Sequence, residues 1–444
     1  MINPAELELL RDALTKLAEG YEELPPFVPD LDVDKVRRVL QEVAERMQDN
    51  YPYYHPLYAG QMLKPPHPVA RLAYALSLWV NPNNHALDGG RASSALEKEC
   101  ISEISQMYGW DRPLGHLTGG GTVANLEALW IANCLHPGKR VIASEQAHYV
   151  HSRISAVLGI PFTAVPVTHD GRMDIGQLEK VLQAGDVGTV VATMGTTGLG
   201  AVDPLPDILG LRGKYKFRVH ADAAYGGYFG LASELGKTAR AAFDRLPGVD
   251  SIVIDPHKQG LQPYGCGCVL FHDPDVGRFY KHGSPYTYFS SAELHLGEIS
   301  LECSRPGASA VALWATQQLM PLIKGGEMSQ GLNQSLLAAR EFHAQLGKSD
   351  RFQPLVQPEL DIVVYAVKAA DAAAASEGAK RVFDLAAERN LHLALIELPA
   401  EFVQSFMPAL EANAGTVTCL RSVLMKREHR DWLDRITAIL DDVV

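Results

Sequence analysis

Four stretches of this chain hold side chains whose types and positions could do chemistry together. In "SIVIDPHKQGLQPYGCG", residues 251 to 267, four β-prone residues run into Asp255, Pro256, His257 and Lys258, and turn formers follow at Gly260, Pro263 and Gly265. This reads as a buried strand that stops abruptly and hands its end to a loop. A lysine at such an edge is either a solvated loop residue or an amine placed in a cleft to shed its proton and condense with a carbonyl. In "FRVHADAAYGGYFG" Asp222 closes a second apolar run, ahead of small residues. On its own it reads as a turn or N-cap aspartate. "VIASEQAHYVHSR" sets His148 just beyond a third run, where a surface histidine is the plain alternative. "HLTGGGTVANLEALWIANCL" places Gly119, Gly120 and Gly121 before Thr122 and an amphipathic helix. Amides at a helix N-terminus, with a threonine hydroxyl, make a phosphate cradle. No Lys-Ser/Thr pair follows, so it is not a P-loop, and the spaced third glycine of a dinucleotide turn is missing. Alone, a tight turn explains it as well.

Together the four fit one chemical requirement. Pyridoxal phosphate needs an amine for its aldehyde, a carboxylate for its ring nitrogen, a flat partner for its ring and a cradle for its phosphate. Lys258, Asp222, His148 and Gly120–Gly121–Thr122 supply these in turn. The carboxylate keeps the pyridine nitrogen protonated, which makes the ring an electron sink.

Elements must bring these groups to one place. Strands are predicted at 141–144, 162–167, 189–194, 217–221, 251–255 and 268–271, with helical stretches such as "MDIGQLEKVLQAG" between most of them. Short β-rich runs alternating with helices predict an α/β fold with a mostly parallel sheet covered on both faces. Ligands bind such sheets at the carboxyl ends of the strands. Residues 1–60 read as an accessory helical segment, 61–330 as the large domain, and 331–444 as a smaller C-terminal α/β domain.

Composition narrows the function classes. A hydrophobic fraction of 47% and a charged fraction of 21% describe an ordinary globular protein. The net charge of −12 argues against nucleic acid or an anionic membrane as partner. There is no apolar run of membrane-spanning length and no signal-peptide pattern at "MINPAELELL". Six cysteines form no disulfide framework, and Cys266 and Cys268 lack further ligands at metal-site spacing, so no metal is expected. A cytoplasmic location is expected.

The motifs "TGGGTVAN", "ATMGTTGLGAVDP", "HADAAYGG" and "DPHK", in that order and spacing, resemble the group II pyridoxal-phosphate-dependent amino acid decarboxylases. "IDPHKQG" and "CSRPGASA" look most like the archaeal-type tyrosine/aspartate decarboxylases. The resemblance covers residues 50 to 320 strongly and the C-terminal part loosely. It implies the type I, aspartate aminotransferase-like fold and a homodimer with active sites at the interface. It also implies that Lys258 forms the imine with the cofactor, Asp222 pairs with the ring nitrogen and His148 stacks on the ring. His220 would lie near the substrate carboxylate, Thr197 and Ala224 would line the ring, and Gly121, Thr122 and His257 would approach the phosphate. His55, Tyr58 and Gln61 would help form the substrate side pocket. Tyr288, with Tyr286 in reserve, would be the acid of a catalytic loop spanning residues 280 to 300. Asp255 stands where the animal enzymes carry asparagine, and Gln259 replaces their tryptophan.

The implied activity is decarboxylation of an aromatic or acidic L-amino acid, of the tyrosine, aspartate and glutamate class, to its amine. Two alternatives stand beside it. A carbon–carbon lyase of the sphingosine-phosphate lyase type would need a second anion site, and no dedicated basic cluster is visible. A non-catalytic homologue would not need its lysine, aspartate and histidine intact.

Overall fold

A computed structural model describes residues 3–281 and 294–443. Seven strands form the large sheet: β1 (Leu114–Thr118), β2 (Arg140–Ser144), β3 (Phe162–Val165), β4 (Val187–Thr193), β5 (Arg218–Asp222), β6 (Ser251–Ile254) and β7 (Gly267–Phe271). Their order is β1-β7-β6-β5-β4-β2-β3. The neighbours from β6 to β3 all pair in parallel, and β7 runs antiparallel to both β6 and β1. The predicted strands are all present within a few residues. β3 stops at Val165 because Pro166 has no N–H to give the ladder. β1 was not predicted, since "LGHLT" carries a glycine and a histidine where an apolar run would announce a strand.

A second, antiparallel sheet holds β8 (Phe352–Pro354), β9 (Ile362–Val367), β10 (Ala394–Pro399) and β11 (Thr416–Val423), in the order β10-β11-β9-β8. The helix Glu327–Leu346 leads from the large sheet towards it, so position 330 falls inside one continuous helix.

The centre of the large sheet is apolar on both faces. Every residue of β4, β6 and β7 is buried, and Ile252, Val253 and Ile254 have no exposed surface. Each such aliphatic side chain contributes roughly 1.5–3 kcal/mol on burial, which fixes the strands and with them their ends. The register sets Thr193 of β4 beside Asp222 of β5, and Asp222 beside Val253 of β6.

Six helices come first along the chain: α1 (Pro4–Glu19), α2 (Val33–Met47), α3 (Pro68–Ser77), α4 (Leu87–Met107), α5 (Gly121–Leu135) and α6 (Val150–Leu158). The first two bury none of their residues. Glu6 of α1 is tied to Arg71 of α3 by a bidentate pair at 2.6 and 2.8 Å. Val39, Leu40, Val43 and Met47 leave an apolar ridge of α2 exposed.

The exits of β4 and β5 are locked together. A Cβ on Gly226, just past β5, would lie 1.7 Å from the Met194 carbonyl oxygen. Gly226→Ala is therefore expected to destabilise the fold by about 3 kcal/mol or more, the upper end of overpacking costs. Thermal unfolding of the purified variant measures it, and an unchanged Tm would show that the two exits can separate.

Candidate active site

The carboxyl ends of β1, β2, β4, β5 and β6 converge on one cleft of about 320 Å³. Its lining includes Gly120, Gly121 and Thr122 after β1, and His148 after β2. Thr197 follows β4, Asp222 ends β5 with Ala224 just past it, and His257 and Lys258 follow β6. Most of the predicted site residues thus meet in one place. A larger cavity of about 700 Å³ lies elsewhere, beside Arg172, Lys237 and Arg340, and none of the predicted residues lines it. The chemistry belongs to the smaller cleft.

Lys258 Nζ lies 3.0 Å from Asp255 Oδ2, and His257 Nε2 is 3.6 Å from the same oxygen. Asp255 is 2% exposed, so the lysine meets a buried carboxylate, the nearest base to its amine. Burial pushes the His257 imidazole below its ordinary value.

Asp222 is 5% exposed. Its Oδ1 accepts the Ala224 N–H at 3.2 Å and its Oδ2 lies 2.8 Å from His151 Nε2. Burial alone would raise the carboxyl pKa, but the His151 hydrogen bond and the surrounding positive charge outweigh it and hold Asp222 well below the carboxylate range. His148 is half-buried, stacks on Tyr149 with ring centroids 4.3 Å apart, and accepts the Val150 N–H at Nδ1. That leaves the proton on Nε2 when the ring is neutral, and burial lowers its pKa.

At the glycine turn Gly120 takes a φ of 146°, open to glycine alone, and α5 begins at the next residue. A Cβ on Gly121 would lie 2.6 Å from Asp255 Oδ2, so the helix start and the carboxylate are packed to the limit.

Three of the predicted residues lie away from this cleft. His220 is 1% exposed, its Nδ1 is 2.8 Å from Ser251 Oγ and its Nε2 is 2.9 Å from Asn125 Oδ1. It does not line the cleft, and burial depresses its pKa to about 3, so it sits under the floor as a neutral strut. His55 accepts the Leu57 N–H and packs edge-on against Trp432, 4.9 Å away. Tyr58 is 4% exposed, and its ring lies against Tyr53 and under Lys426. Neither lines the cleft. Gln61 comes nearer: its Oε1 accepts from Arg421 Nη2 at 2.8 Å, and Arg421 Nη1 donates to the Thr197 carbonyl at 3.1 Å. Tyr286 and Tyr288 lie outside the described residues. The sequence reading missed His151 and gave Asp255 no role. Histidine spacing past a strand end was the available signal for the first, and the acid three residues before Lys258 for the second.

The cleft fits pyridoxal phosphate. Thr193 Oγ1, Asp255 Oδ1 and His257 Nδ1 are buried there without partners among the described residues, which marks a space that a polar group fills. The start of α5 leaves unpaired amides for a phosphate, Lys258 offers the amine, and Asp222 offers a charge for a ring nitrogen.

Fold and cleft together define a fold-type-I enzyme of the pyridoxal phosphate class. The family profile described as "Pyridoxal-dependent decarboxylase conserved domain" matches residues 54–368, and the chain belongs to that family. An L-tyrosine decarboxylase of Enterococcus faecium is 27% identical over 464 aligned residues, covering 80% of this chain and 76% of that protein. An L-aspartate decarboxylase of Thermococcus kodakarensis is 28% identical over 330 residues, covering 74% of this chain and 83% of that one. Among solved structures, mouse CSAD superposes with a TM-score of 0.80 at 17% identity, covering 100% of this chain and 99% of its own. An Oryza sativa TDC solved with PLP and tryptamine gives 0.79, also at 17%, covering 100% of this chain and 99% of its own. The protein is a pyridoxal-phosphate-dependent amino acid decarboxylase, a carboxy-lyase. Among the described residues no helix is long and apolar enough to cross a membrane.

Borohydride treatment of the holoenzyme is expected to fix the cofactor to the peptide carrying Lys258; a label on any other lysine removes Lys258 from the role. Gly121→Ala must push Asp255 away from Lys258 or shift the helix start. Cofactor Kd, titrated by absorbance, is expected to rise about tenfold or more, the equivalent of ~1.4 kcal/mol.

Proposed function

We propose that this protein removes the α-carboxylate of an L-amino acid of the tyrosine, aspartate and glutamate class and releases the amine, with the acidic members favoured. Bound pyridoxal phosphate supplies the sink for the electron pair left at Cα. The chain's own residues do the rest. Lys258 carries the cofactor, and Asp255 Oδ2 takes the proton its amine must lose. Asp222 would pair with the ring nitrogen, His148 would stack on the ring, and Thr197 and Ala224 would line it. Gly120, Gly121, Thr122 and His257 hold the phosphate. Tyr288, or Tyr286 in its place, returns a proton to Cα once CO2 has left.

We assign the preference for acidic substrates to Arg421, which does not itself line the cleft but bonds the carbonyl of Thr197, which does. Arg421 is 6% exposed, and its hydrogen-bond partners, the Thr197 carbonyl and Gln61 Oε1, are neutral. Its Nε is buried without a partner among the described residues. Burial lowers its pKa, and no carboxylate among the described residues pairs with it. A desolvated guanidinium without a counter-ion favours an incoming carboxylate. Gripping the α-carboxylate would stabilise the state that has to lose it, so the side-chain carboxylate is the better partner. Tyr53 and Tyr58, by contrast, already pack on each other with centroids 4.9 Å apart.

The same reading includes a homodimer. The exposed apolar ridge of α2 supports it, since a face of that kind is stable in water only when covered. A cytoplasmic location accords with cysteines that are all unpaired.

Purified protein offered each common L-amino acid, with CO2 and amine as readouts, is expected to turn over aspartate or glutamate. Arg421→Met is expected to lower kcat/KM for the acid about a hundredfold and to leave any tyrosine turnover within about threefold. Turnover of tyrosine alone, indifferent to Arg421→Met, would overturn the acidic assignment. Tyr288→Phe is expected to divert product from amine towards aldehyde; an unchanged amine yield and rate would take the acid's role from Tyr288.

A further inference from the structure

Asp222 rests on a histidine that has no place in the reaction described so far. His151 lies in the first turn of α6, with no exposed surface, and its Nε2 is 2.8 Å from Asp222 Oδ2. A carboxylate can only accept, so Nε2 carries the hydrogen and donates it. The other ring nitrogen, Nδ1, is buried without a partner among the described residues. An orphaned buried nitrogen costs free energy, and an apolar side chain at this core position would avoid that cost. The contact with Asp222 is what the imidazole gains in return.

Other charged or titratable groups near Asp222 come from three directions. His220 is on its own strand, His148 is on the loop before α6, and Lys258 follows β6 beside Asp255. His220 spends both ring nitrogens on Ser251 and Asn125, and Lys258 is paired with Asp255. Among the described residues His151 is the one side chain hydrogen-bonded to the Asp222 carboxylate; the other donor is the Ala224 backbone. With one donor on each oxygen, the plane of the carboxylate is fixed.

We propose that His151 is a positioning residue, whose Nε2–H holds and orients the Asp222 carboxylate against the cofactor's ring nitrogen. This rests on the placement of the ring nitrogen at Asp222 given above. Without the donor, a carboxylate this deeply buried is drawn towards its neutral form, and a neutral partner no longer holds a proton on the pyridine. The ring nitrogen would then lose its proton at lower pH, and the electron sink would weaken. Substrate binding does not pass through this contact.

The test uses holoenzyme reconstituted with pyridoxal phosphate labelled with nitrogen-15 in the ring, so that NMR reports the protonation of that nitrogen directly. Three variants separate the hydrogen bond from simple packing. His151→Leu fills the space without a donor. His151→Asn keeps a polar group but places its amide where Nδ1 was. His151→Gln places an amide N–H where Nε2 was. Wild type is expected to keep the ring nitrogen protonated through the neutral range. His151→Leu and His151→Asn are expected to deprotonate about one pH unit or more lower, the size of one lost hydrogen bond to a charged group. Their kcat is expected to fall about tenfold with KM within about twofold. His151→Gln is expected to restore both.

If His151→Leu unfolds, the comparison of His151→Asn with His151→Gln carries the test. Asp222→Asn is the control for the placement of the ring: it is expected to lose the protonated signal. If it does and His151→Asn matches wild type, His151 has no positioning role while Asp222 keeps its own. If Asp222→Asn also matches wild type, the ring nitrogen is not at Asp222 and the proposal falls with that placement.

Discussion

A carboxylate with 5% of its surface exposed keeps its charge only while donors meet it, and the architecture around Asp222 follows from that constraint. The carboxyl end of β5 delivers Asp222, and the turn past it delivers the Ala224 N–H to one oxygen. α6 must then start close enough to set a histidine under the other oxygen. That fixes the loop after β2 and, with it, His148 above the cleft. Register across β4, β5 and β6 places Thr193, Asp222 and Val253 in one row, and Lys258 emerges from the neighbouring strand end. The buried aliphatic core of the sheet is what keeps this row in place.

The second charge pair of the cleft works differently. Lys258 and Asp255 are 3.0 Å apart, and the lysine is more exposed than its partner, with side-chain exposures of 22% and 3%. A lysine that has to act as an amine gains from a base at contact distance, and a carboxylate gains from an ammonium until the amine is used. The same carboxylate crowds Gly121 and lies under the start of α5. Amine, base and phosphate cradle are therefore one packed unit, although they come from positions far apart in the chain.

The strand ends were legible because apolar runs stop there at Asp, Pro, His or Gly, and punctuation of that kind is local. What was not legible is which side chains meet. His151 and Asp222 are 71 residues apart, and Arg421 and Thr197 are 224 apart, so no spacing rule links them. His220 shows the limit of face arguments. It shares a strand face with Asp222, being two residues away, but that step sets it about 6.6 Å deeper along the strand. At that depth Ser251 and Asn125 have closed over it, and the same residue type becomes a strut. β1 escaped notice for a composition reason, since its glycine and histidine hide a strand that is held by pairing with β7 along its whole length.

The small sheet takes part in the site through a buried network. Asp361, just before β9, has no exposed surface; its Oδ1 accepts from Tyr225 Oη at 2.5 Å and its Oδ2 from Gln259 Nε2 at 2.7 Å. Tyr225 follows Ala224, and Gln259 follows Lys258, so one carboxylate at the second sheet grips both segments that line the cleft after β5 and β6. Lys64 Nζ donates to Gln259 Oε1 at 2.9 Å and to the Met425 carbonyl at 3.1 Å, tying in the segment between α2 and α3 that also bears Gln61. Burial pushes Asp361 up to about 6 and Lys64 down to about 8, so neither charge comes free. Groups held at that cost hold their neighbours in turn: Arg421 enters from the same sheet, against Thr197 and Gln61. The large sheet thus supplies the residues that line the cleft, and the small sheet supplies a guanidinium bound to the carbonyl of one of them, Thr197. A shift of the second sheet would move Arg421 and loosen the flanks of Lys258 and Ala224 together, so the two sheets hold the cleft as one unit.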